Sequence, residues 1–217
     1  MFNIDLKVTK FNSPYNWVNI TDLFTPEDGK LLAEDYPTDN YRTITANSNR
    51  QYNYDVRALV SFKGKVENSP NIWNRLGEYL VSQEYKNFIL QSTDIDVAGL
   101  PVEANIYKYA KNCFMDAHTD LDTKVLTHVI YFNNQWDENN GGCLNILKSK
   151  DIKDVTNKIT PVIGNAVILI RSNNSWHSVE QTTCDKSRRS VTVTFYKKGS
   201  GSPMWRGEKY NYHSNTL

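Results

Sequence analysis

The amino-acid sequence predicts a mainly β fold, a jelly roll or barrel with flanking helices, from three observations. From Val102 onward the chain contains short runs in which apolar residues recur with a period of two, the pattern of strands with one buried face. Turns rich in Asn, Gly, Asp and Ser separate these runs. Helical patterns occur only before them, and helices followed by many strands favour a barrel or jelly roll with helices against one face. The predicted strands are VEANIYKYA, VLTHVIYFN, CLNIL, NAVILI and SVTVTFY.

Two helices are predicted ahead of these strands. Residues 20–35 read ITDLFTPEDGKLLAED, in which Thr25 is a candidate N-cap and Pro26 occupies the first helical position. A second helix is predicted over residues 71–91, where apolar residues recur at helical spacing. The stretch between them, residues 36–66, is polar and aromatic with weak periodicity. It is expected to be a loop that covers a functional site.

Length and charge restrict the number of domains and the classes of partner. At 217 residues the chain is predicted to be one domain, 1–217, with a single sizeable core. Lys and Arg total 25 against 24 for Asp and Glu, so the net charge of +1 provides no overall field for nucleic acid or an anionic membrane. No stretch approaches the roughly 20 consecutive apolar residues that cross a bilayer. Three cysteines at unremarkable spacings, and a start without a signal-peptide pattern, predict a cytoplasmic, reducing setting.

A His-x-Asp pair, His118 and Asp120, is the first indication of chemistry. On an extended backbone, residues two apart project from the same face, so this imidazole and carboxylate can share one ion. His177 follows a buried-looking strand and is a candidate third ligand. Two histidines and one carboxylate on one face of an octahedron leave three positions open, which is the ligand set of iron(II) oxygenases. Each signal alone also occurs by chance, and an isolated histidine is more often structural.

Arg188 adds a second functional signal, because it opens a predicted strand whose alternate residues are polar. A guanidinium offers a planar fork of donors that suits a carboxylate, and the Ser190 hydroxyl can add one hydrogen bond. This pair could hold the distal carboxylate of 2-oxoglutarate. On spacing alone, a surface pair of Arg188 and Arg189 beside a strand explains the sequence equally well.

From about residue 100 to residue 198 the chain resembles the 2-oxoglutarate and Fe(II)-dependent dioxygenases, in particular their prolyl-hydroxylase-like branch. Four segments occur in the family's order: NIYKYAKNCFMDAHTD, VLTHVIYFNNQWDENNGGCLNIL, NAVILIRSNNSWHSVEQ and RRSVTVTFY. The resemblance implies a double-stranded β-helix core over 100–198. From the residue pattern, 1–99 is expected to form a helical and loop buttress with a lid, and 199–217 a tail. The resemblance also implies a hydroxylase that uses Fe(II), 2-oxoglutarate and O2.

The resemblance assigns a role to each site residue. The implied iron ligands are His118, Asp120 and His177. The implied co-substrate ligands are Arg188, Ser190, Tyr109 and Tyr131. Asp120 argues against halogenation, because halogenating relatives carry a small residue in place of that carboxylate. Weaker candidates for substrate contacts are Arg171 and Trp176, for which a surface position and simple packing are the alternatives.

Several other residues are assigned less sharply. His128 alternates with its strand neighbours and is predicted to face away from a site that contains Tyr131. Residues that could lie either in the site or on the surface are Arg50, Tyr54 and Arg57. The tail from Trp205 to His213 could close over the site or pack on the helices.

The predicted function is hydroxylation of an unactivated C–H bond, coupled to oxidative decarboxylation of 2-oxoglutarate. The compact chain favours a small-molecule substrate such as an amino acid, a sugar or a natural-product intermediate. Three alternatives stay open: a peptidyl prolyl hydroxylase, a cupin-like metalloenzyme that does not use 2-oxoglutarate, and a metal-free jelly-roll binding module. The context Arg188-Arg189-Ser190 argues against the cupin-like enzyme. The sequence carries no signal for an oligomeric state.

Overall fold

The computed structural model describes residues 1–47, 51–62, 64–67, 69 and 71–205. These residues form twelve strands and three α-helices, whose bounds follow the chain order. The strands are β1 (Lys7–Phe11), β2 (Trp17–Thr21), β3 (Arg42–Asn47), β4 (Gln51–Val60), β5 (Val102–Tyr109), β6 (Phe114–His118), β7 (Lys124–Tyr131), β8 (Leu144–Leu147), β9 (Val155–Ile159), β10 (Ala166–Ile170), β11 (His177–Val179) and β12 (Arg188–Tyr196). The helices are α1 (Pro26–Glu34), α2 (Asn71–Val81) and α3 (Gln83–Thr93).

All pairings between these strands are antiparallel. Across the sheet the strands follow the order β1-β2-β10-β7-β12-β5-β4-β6-β11-β8-β9, and β3 pairs with β4. Most neighbours in this order are distant in sequence, which is typical of a jelly roll and unlike a simple meander. The predicted fold class, mainly β with flanking helices and a jelly-roll core, is confirmed.

The two faces of the sheet bury different clusters of side chains. On one face, α2 and α3 contribute Trp73, Leu76 and Tyr85 to an apolar core that also contains Ile130 and Phe195. The opposite face of the same strands encloses a cavity. Side chains alternate along β7, so every second residue of this strand faces the cavity side and the residues between them face the helices.

His128 lies on the helix side of the sheet, as its alternation predicts. Its ring is fully buried, and Nδ1 lies 2.9 Å from the hydroxyl of Tyr85 on α3. Val129 and Tyr131 belong to the cluster on the opposite face. The prediction that His128 is a structural residue is confirmed.

The first predicted helix is confirmed and the second differs. Thr25 caps α1, and its hydroxyl accepts a hydrogen bond from the backbone N–H of Asp28. The single helix predicted over 71–91 is instead two helices, since Ser82 interrupts it. The Ser82 hydroxyl accepts a hydrogen bond from the N–H of Tyr85 and caps α3. A serine that satisfies a helix-start N–H favours a new helix over continuation of the previous one.

The loop predicted over residues 36–66 is wrong, because most of it forms the hairpin of β3 and β4. β4 also pairs with both β5 and β6, so it is an integral strand of the sheet. Together with β1 and β2, the hairpin gives residues 1–99 four strands where helices and loop were expected. The short strands β6, β9 and β11 were also not assigned as strands by the alternation pattern.

Two sequence-based assignments fall outside the described residues. Arg50 is one, and the tail beyond Trp205 is the other. Within the part of the chain that is described, no helix is both long and apolar enough to cross a membrane.

Candidate active site

Three side chains with metal-binding chemistry converge at the cavity. His118 ends β6, Asp120 follows it by two residues, and His177 opens β11. Because β6 and β11 pair with His118 opposite His177, two segments distant in sequence meet at this point. One donor atom from each of the three residues lies within 4.8 Å of the others, and all three residues are buried.

Backbone carbonyls fix the orientation of both imidazoles. Nδ1 of His118 lies 2.8 Å from the carbonyl oxygen of Asp116, and Nδ1 of His177 lies 2.9 Å from that of Ser175. A carbonyl oxygen only accepts, so Nδ1 of each neutral ring carries the hydrogen and Nε2 carries the lone pair. This is the outer-shell arrangement that orients histidines toward a metal ion.

Both oxygens of the Asp120 carboxylate accept hydrogen bonds. The ammonium of Lys124 donates to Oδ1 at 2.6 Å, and the hydroxyl of Thr127 donates to Oδ2 at 2.7 Å. Burial alone would raise the pKa of Asp120, but the charge and the hydrogen bond of the Lys124 ammonium outweigh it and hold the pKa well below its usual value. The carboxylate is therefore anionic, as a metal ligand must be.

Arg188 is buried in the wall of the same cavity. It is only 2 % exposed, so the alternative that it belongs to a surface arginine pair is wrong. Its Nε donates to the carbonyl oxygen of Gly142 at 2.7 Å, and Nη1 donates to the Ser190 hydroxyl at 2.9 Å. Its neighbour Arg189 points the other way, toward the carbonyl of Ala33 on α1. Strand alternation thus separates the two arginines.

Two tyrosines flank the Arg188 guanidinium. It lies 4.9 Å from the ring centroid of Tyr109 and 5.1 Å from that of Tyr131. Burial raises the pKa of Tyr131 to about 12, although Arg188 opposes the rise, so the phenol keeps its proton. Among the described residues, the buried Tyr131 hydroxyl has no hydrogen-bond partner. This hydroxyl is therefore able to donate to a ligand that binds beside Arg188.

The cavity that contains the metal-type cluster, Arg188 and Tyr109 has a volume of about 430 Å³, and Tyr131 is absent from its described lining. Its described lining combines the metal-type cluster, Arg188 and Ser190 with tyrosines and a few aliphatic and cationic residues. The remaining lining residues are Arg42, Ile44, Tyr52, Tyr54, Asn105, Tyr107, Tyr109, Met115, Leu121, Lys124, Thr127, Val129, Leu144, Leu169, Val179, Thr192, Thr194, Tyr196, Pro203 and Met204.

The two weaker candidates for substrate contacts, Arg171 and Trp176, are absent from the described lining of the cavity. Arg171 forms an ion pair with Asp122, and the carbonyl of Trp176 accepts a hydrogen bond from Tyr15. Arg171 is the first residue and Trp176 the last residue of the connection between β10 and β11.

Lys124 and Thr127 are site residues that the sequence analysis did not identify. Thr127 could have been found, because it shares a strand face with Val129 and Tyr131. The contact of Lys124 with Asp120 had no such signal, since it depends on the turn that joins β6 to β7.

Residues 104–196 match the family model of the 2OG-Fe(II) oxygenase superfamily. This segment contains His118, Asp120, His177 and Arg188. Residues 104–196 belong to that superfamily. The predicted class, a 2-oxoglutarate-dependent dioxygenase that uses Fe(II), 2-oxoglutarate and O2, is confirmed. The family match argues against both a metal-free binding module and a cupin-like enzyme that does not use 2-oxoglutarate.

Solved structures share the fold of this oxygenase. A prolyl-4-hydroxylase from Pseudomonas putida is 19% identical over 84% of this chain and 92% of its own, with a TM-score of 0.59. A prolyl hydroxylase from Trichoplax adhaerens, in complex with a hypoxia inducible factor peptide fragment, is 12% identical over 83% of each chain, with a TM-score of 0.61. A viral collagen prolyl hydroxylase from Paramecium Bursaria Chlorella virus-1 is 10% identical over 82% of this chain and 94% of its own, with a TM-score of 0.53. A search of curated protein sequences finds no match.

The residues of this oxygenase fit the cofactors of the family. Two imidazole nitrogens and one carboxylate oxygen, close together and buried, suit Fe(II). Arg188, Ser190 and the unpartnered Tyr131 hydroxyl supply donors for a dicarboxylate.

Proposed function

We propose that this oxygenase couples the oxidative decarboxylation of 2-oxoglutarate to hydroxylation of an unactivated C–H bond in a small molecule. The observation that carries the proposal is the buried cluster of His118, Asp120 and His177 in one cavity with Arg188. In this assignment the three clustered residues hold Fe(II), which supplies the oxygen chemistry when it is bound.

The chain's own residues position the iron. The Asp116 and Ser175 carbonyls hold the two rings with Nε2 as the ligand atom. Lys124 and Thr127 restrict the Asp120 carboxylate to one orientation. Ligands that are already ordered lose little conformational freedom on metal binding, which favours affinity.

The assignment of 2-oxoglutarate rests on Arg188 and the groups around it. The Ser190 hydroxyl and the Gly142 carbonyl hold the guanidinium in place and leave part of its donor fork for the distal carboxylate. Tyr109 lines the cavity beside it, and Tyr131 can donate its phenolic hydrogen to the same carboxylate. Arg188 is too deeply buried for water to hydrate its charge. An anionic ligand would therefore remove the cost of burying an unpaired charge.

The size of the cavity favours a small substrate. About 430 Å³ lies at the low end of the range for small-ligand sites, and 2-oxoglutarate must share it. A peptidyl prolyl hydroxylase is the second candidate, and it is favoured by the overall fold shared with the prolyl hydroxylases.

The first test adds Fe(II) and then 2-oxoglutarate to metal-free protein without oxygen and records the weak visible charge-transfer band of the chelate. We expect the band in the wild type and in two matched controls, His128→Gln and Arg189→Ala. We expect no band for His118→Ala, and a much higher requirement for 2-oxoglutarate in Arg188→Ala. A wild type that binds iron without giving the band would contradict the proposed use of 2-oxoglutarate.

The second test distinguishes the two substrate classes. Succinate release is measured with a panel of free amino acids and sugars and, in parallel, with proline-containing peptides. Stimulation by free metabolites alone supports the small-molecule assignment, and stimulation by peptides alone supports the peptidyl hydroxylase.

A further inference from the structure

Positively charged side chains predominate in the cavity. Its described lining contains three cationic groups, Arg42, Lys124 and Arg188, and one carboxylate, Asp120. Under the proposed function, Asp120 binds the metal and Arg188 binds 2-oxoglutarate. The two negative charges of 2-oxoglutarate then offset the two positive charges of Fe(II), and the charge of Asp120 offsets that of Arg188. The loaded cavity therefore keeps a positive excess at Arg42 and Lys124. A confined positive excess of this kind attracts and binds anions.

Lys124 is placed to contact a substrate beside the metal. Its Nζ donates to Asp120 Oδ1 at 2.6 Å, and the side chain is 17 % exposed, on the cavity side. A lysine ammonium has three donors, so the contact with Asp120 leaves donors for a further acceptor. An anion held there lies next to a metal-ligand side chain, which brings the carbons attached to it close to the reaction centre.

Arg42 is a second cation, at the opening of the cavity. It begins β3, its side chain is exposed, and it lines the cavity together with Ile44 of the same strand. The ion pairs within the described part of the chain do not include Arg42. An exposed cation at an entrance raises the local concentration of anions and their rate of entry.

Tyrosine rings form an aromatic wall in the same cavity. The ring centroids of Tyr52 and Tyr54 are 5.6 Å apart, and those of Tyr54 and Tyr107 are 5.2 Å apart. All three tyrosines line the cavity. Their faces offer apolar surface for the body of a substrate, while the cations select its charged group.

We propose that the primary substrate is a small organic anion, with a carboxylate or phosphate group bound by Lys124 and an apolar body against the tyrosine wall. Arg42 guides this anion into the cavity. The proposal rests on the proposed function, because it takes the metal and 2-oxoglutarate sites as occupied. It excludes a neutral internal segment of a peptide as the preferred substrate.

The test uses benzoate, phenyl phosphate and benzamide as probes. Benzamide matches benzoate in shape and lacks its charge. Each probe is titrated without oxygen into wild-type protein that carries Fe(II) and saturating 2-oxoglutarate, and the paramagnetic broadening of its ring-proton NMR signals reports binding next to the metal. We expect benzoate, phenyl phosphate or both to bind on the order of tenfold more tightly than benzamide, as for a hydrogen bond to a charged group. The stronger of the two anions identifies the charged group.

Variants locate the charge that is responsible. Lys124→Met should lower the preference for the anion over benzamide about tenfold, Lys124→Arg should retain most of the preference, and Lys7→Met, outside the cavity, should have no effect on it. Arg42→Met leaves the Lys124 contact with Asp120 in place and should also weaken binding of the anion relative to benzamide, so it tests the proposal even if Lys124→Met fails to load iron.

The possible outcomes are distinguishable. If the wild type lacks the Fe(II)–2-oxoglutarate visible band, the proposed function itself fails. If the band is present and benzamide binds as tightly as both anions, or if no probe is broadened, only the inference of an anionic substrate is overturned. Unchanged anion binding in both Lys124→Met and Arg42→Met would also overturn it.

Discussion

His118 and His177 are register partners on two antiparallel strands, and their ring centroids lie 4.1 Å apart. Each ring is held by the carbonyl two residues before it, so the same local device fixes both. Asp120 joins them through the backbone extension beyond β6. The pairing of two short strands, with the two residues that follow β6, therefore brings the three donor side chains together, and the geometry does not depend on long loops.

Replacement of Asp120 by alanine should abolish stable iron binding. The change removes the one anionic donor and leaves Lys124 beside two histidines without its counter-charge. We expect wild-type protein to retain about one Fe(II) per chain after anaerobic loading and desalting, and Asp120→Ala to retain almost none.

Asp116→Ala is the matched control for iron binding. Asp116 lies on β6, four residues before Asp120, but its side chain accepts a hydrogen bond from the backbone N–H of Gln51 and is absent from the described cavity lining. It should keep its iron. Equal iron content in the two variants would mean that Asp120 is not a ligand.

Replacement of Arg188 by lysine should weaken 2-oxoglutarate binding while the charge is kept. Lysine cannot reproduce the planar fork, nor the paired bonds to Gly142 and Ser190 that hold it. We expect a loss of about 2 kcal/mol, roughly 30-fold in Kd, measured from the visible band as 2-oxoglutarate is titrated.

Arg189→Lys should leave that Kd unchanged, because Arg189 lies on the opposite face of the strand near Ala33. Equal effects of the two substitutions would show that only net charge matters at this position. Circular dichroism of both variants checks that the fold is intact.

Much of this site could be predicted from the sequence because its determinants are local. The spacing of His118 and Asp120, and the alternation that places His128 opposite Tyr131, follow from extended backbone geometry. The same reasoning separates Arg188 from Arg189 once β12 is recognised. Strands with one apolar face were found for the same reason.

What the sequence did not predict depends on tertiary contacts. Tyr52 and Tyr54 of β4 point into a cavity that accepts polar aromatic side chains, so the strand lacks a clear apolar alternation. The sequence left Arg171 as a candidate for a substrate contact, but its guanidinium forms an ion pair with Asp122. Lys124 approaches Asp120 only through the turn between β6 and β7. None of these partners can be read from local spacing.

Loss of the Ser202 hydroxyl should release the segment that carries Pro203 and Met204 over the cavity. Ser202 Oγ donates to the buried carboxylate of Glu103 at 2.9 Å and accepts the N–H of Trp205 at 3.1 Å. We expect Ser202→Ala to accelerate hydrogen exchange at the Trp205 amide about fivefold, which corresponds to one hydrogen bond of ~1 kcal/mol.

Ser200→Ala, two residues earlier, is the control for this segment. Its backbone N–H donates to the carbonyl of Lys197, and this bond survives the substitution. Mass spectrometry of peptides that cover residues 199–205 should therefore show faster exchange for Ser202→Ala alone. Unchanged exchange in Ser202→Ala would mean that the bond between Trp205 Nε1 and Asn105 is sufficient to hold the segment.

Acidification should destabilise the fold through His128. Burial lowers the pKa of His128 to about 3, against 6.5 for an unperturbed histidine. Between these values the unfolded chain binds a proton that the folded chain does not, so the free energy of unfolding falls as the pH drops below about 6.5. The decline should approach 1.4 kcal/mol per pH unit, or about 2.5 kcal/mol from pH 7.5 to pH 4.5.

Urea unfolding of wild-type and His128→Gln protein at these two pH values isolates the effect. Glutamine does not titrate, so its free energy of unfolding should fall by about 2.5 kcal/mol less than that of the wild type. Every other titrating group, including His118 and His177, is common to both proteins and cancels in the difference. The same dependence on pH in both would show that His128 takes up its proton without unfolding, and that the pocket beneath Tyr85 tolerates a charge.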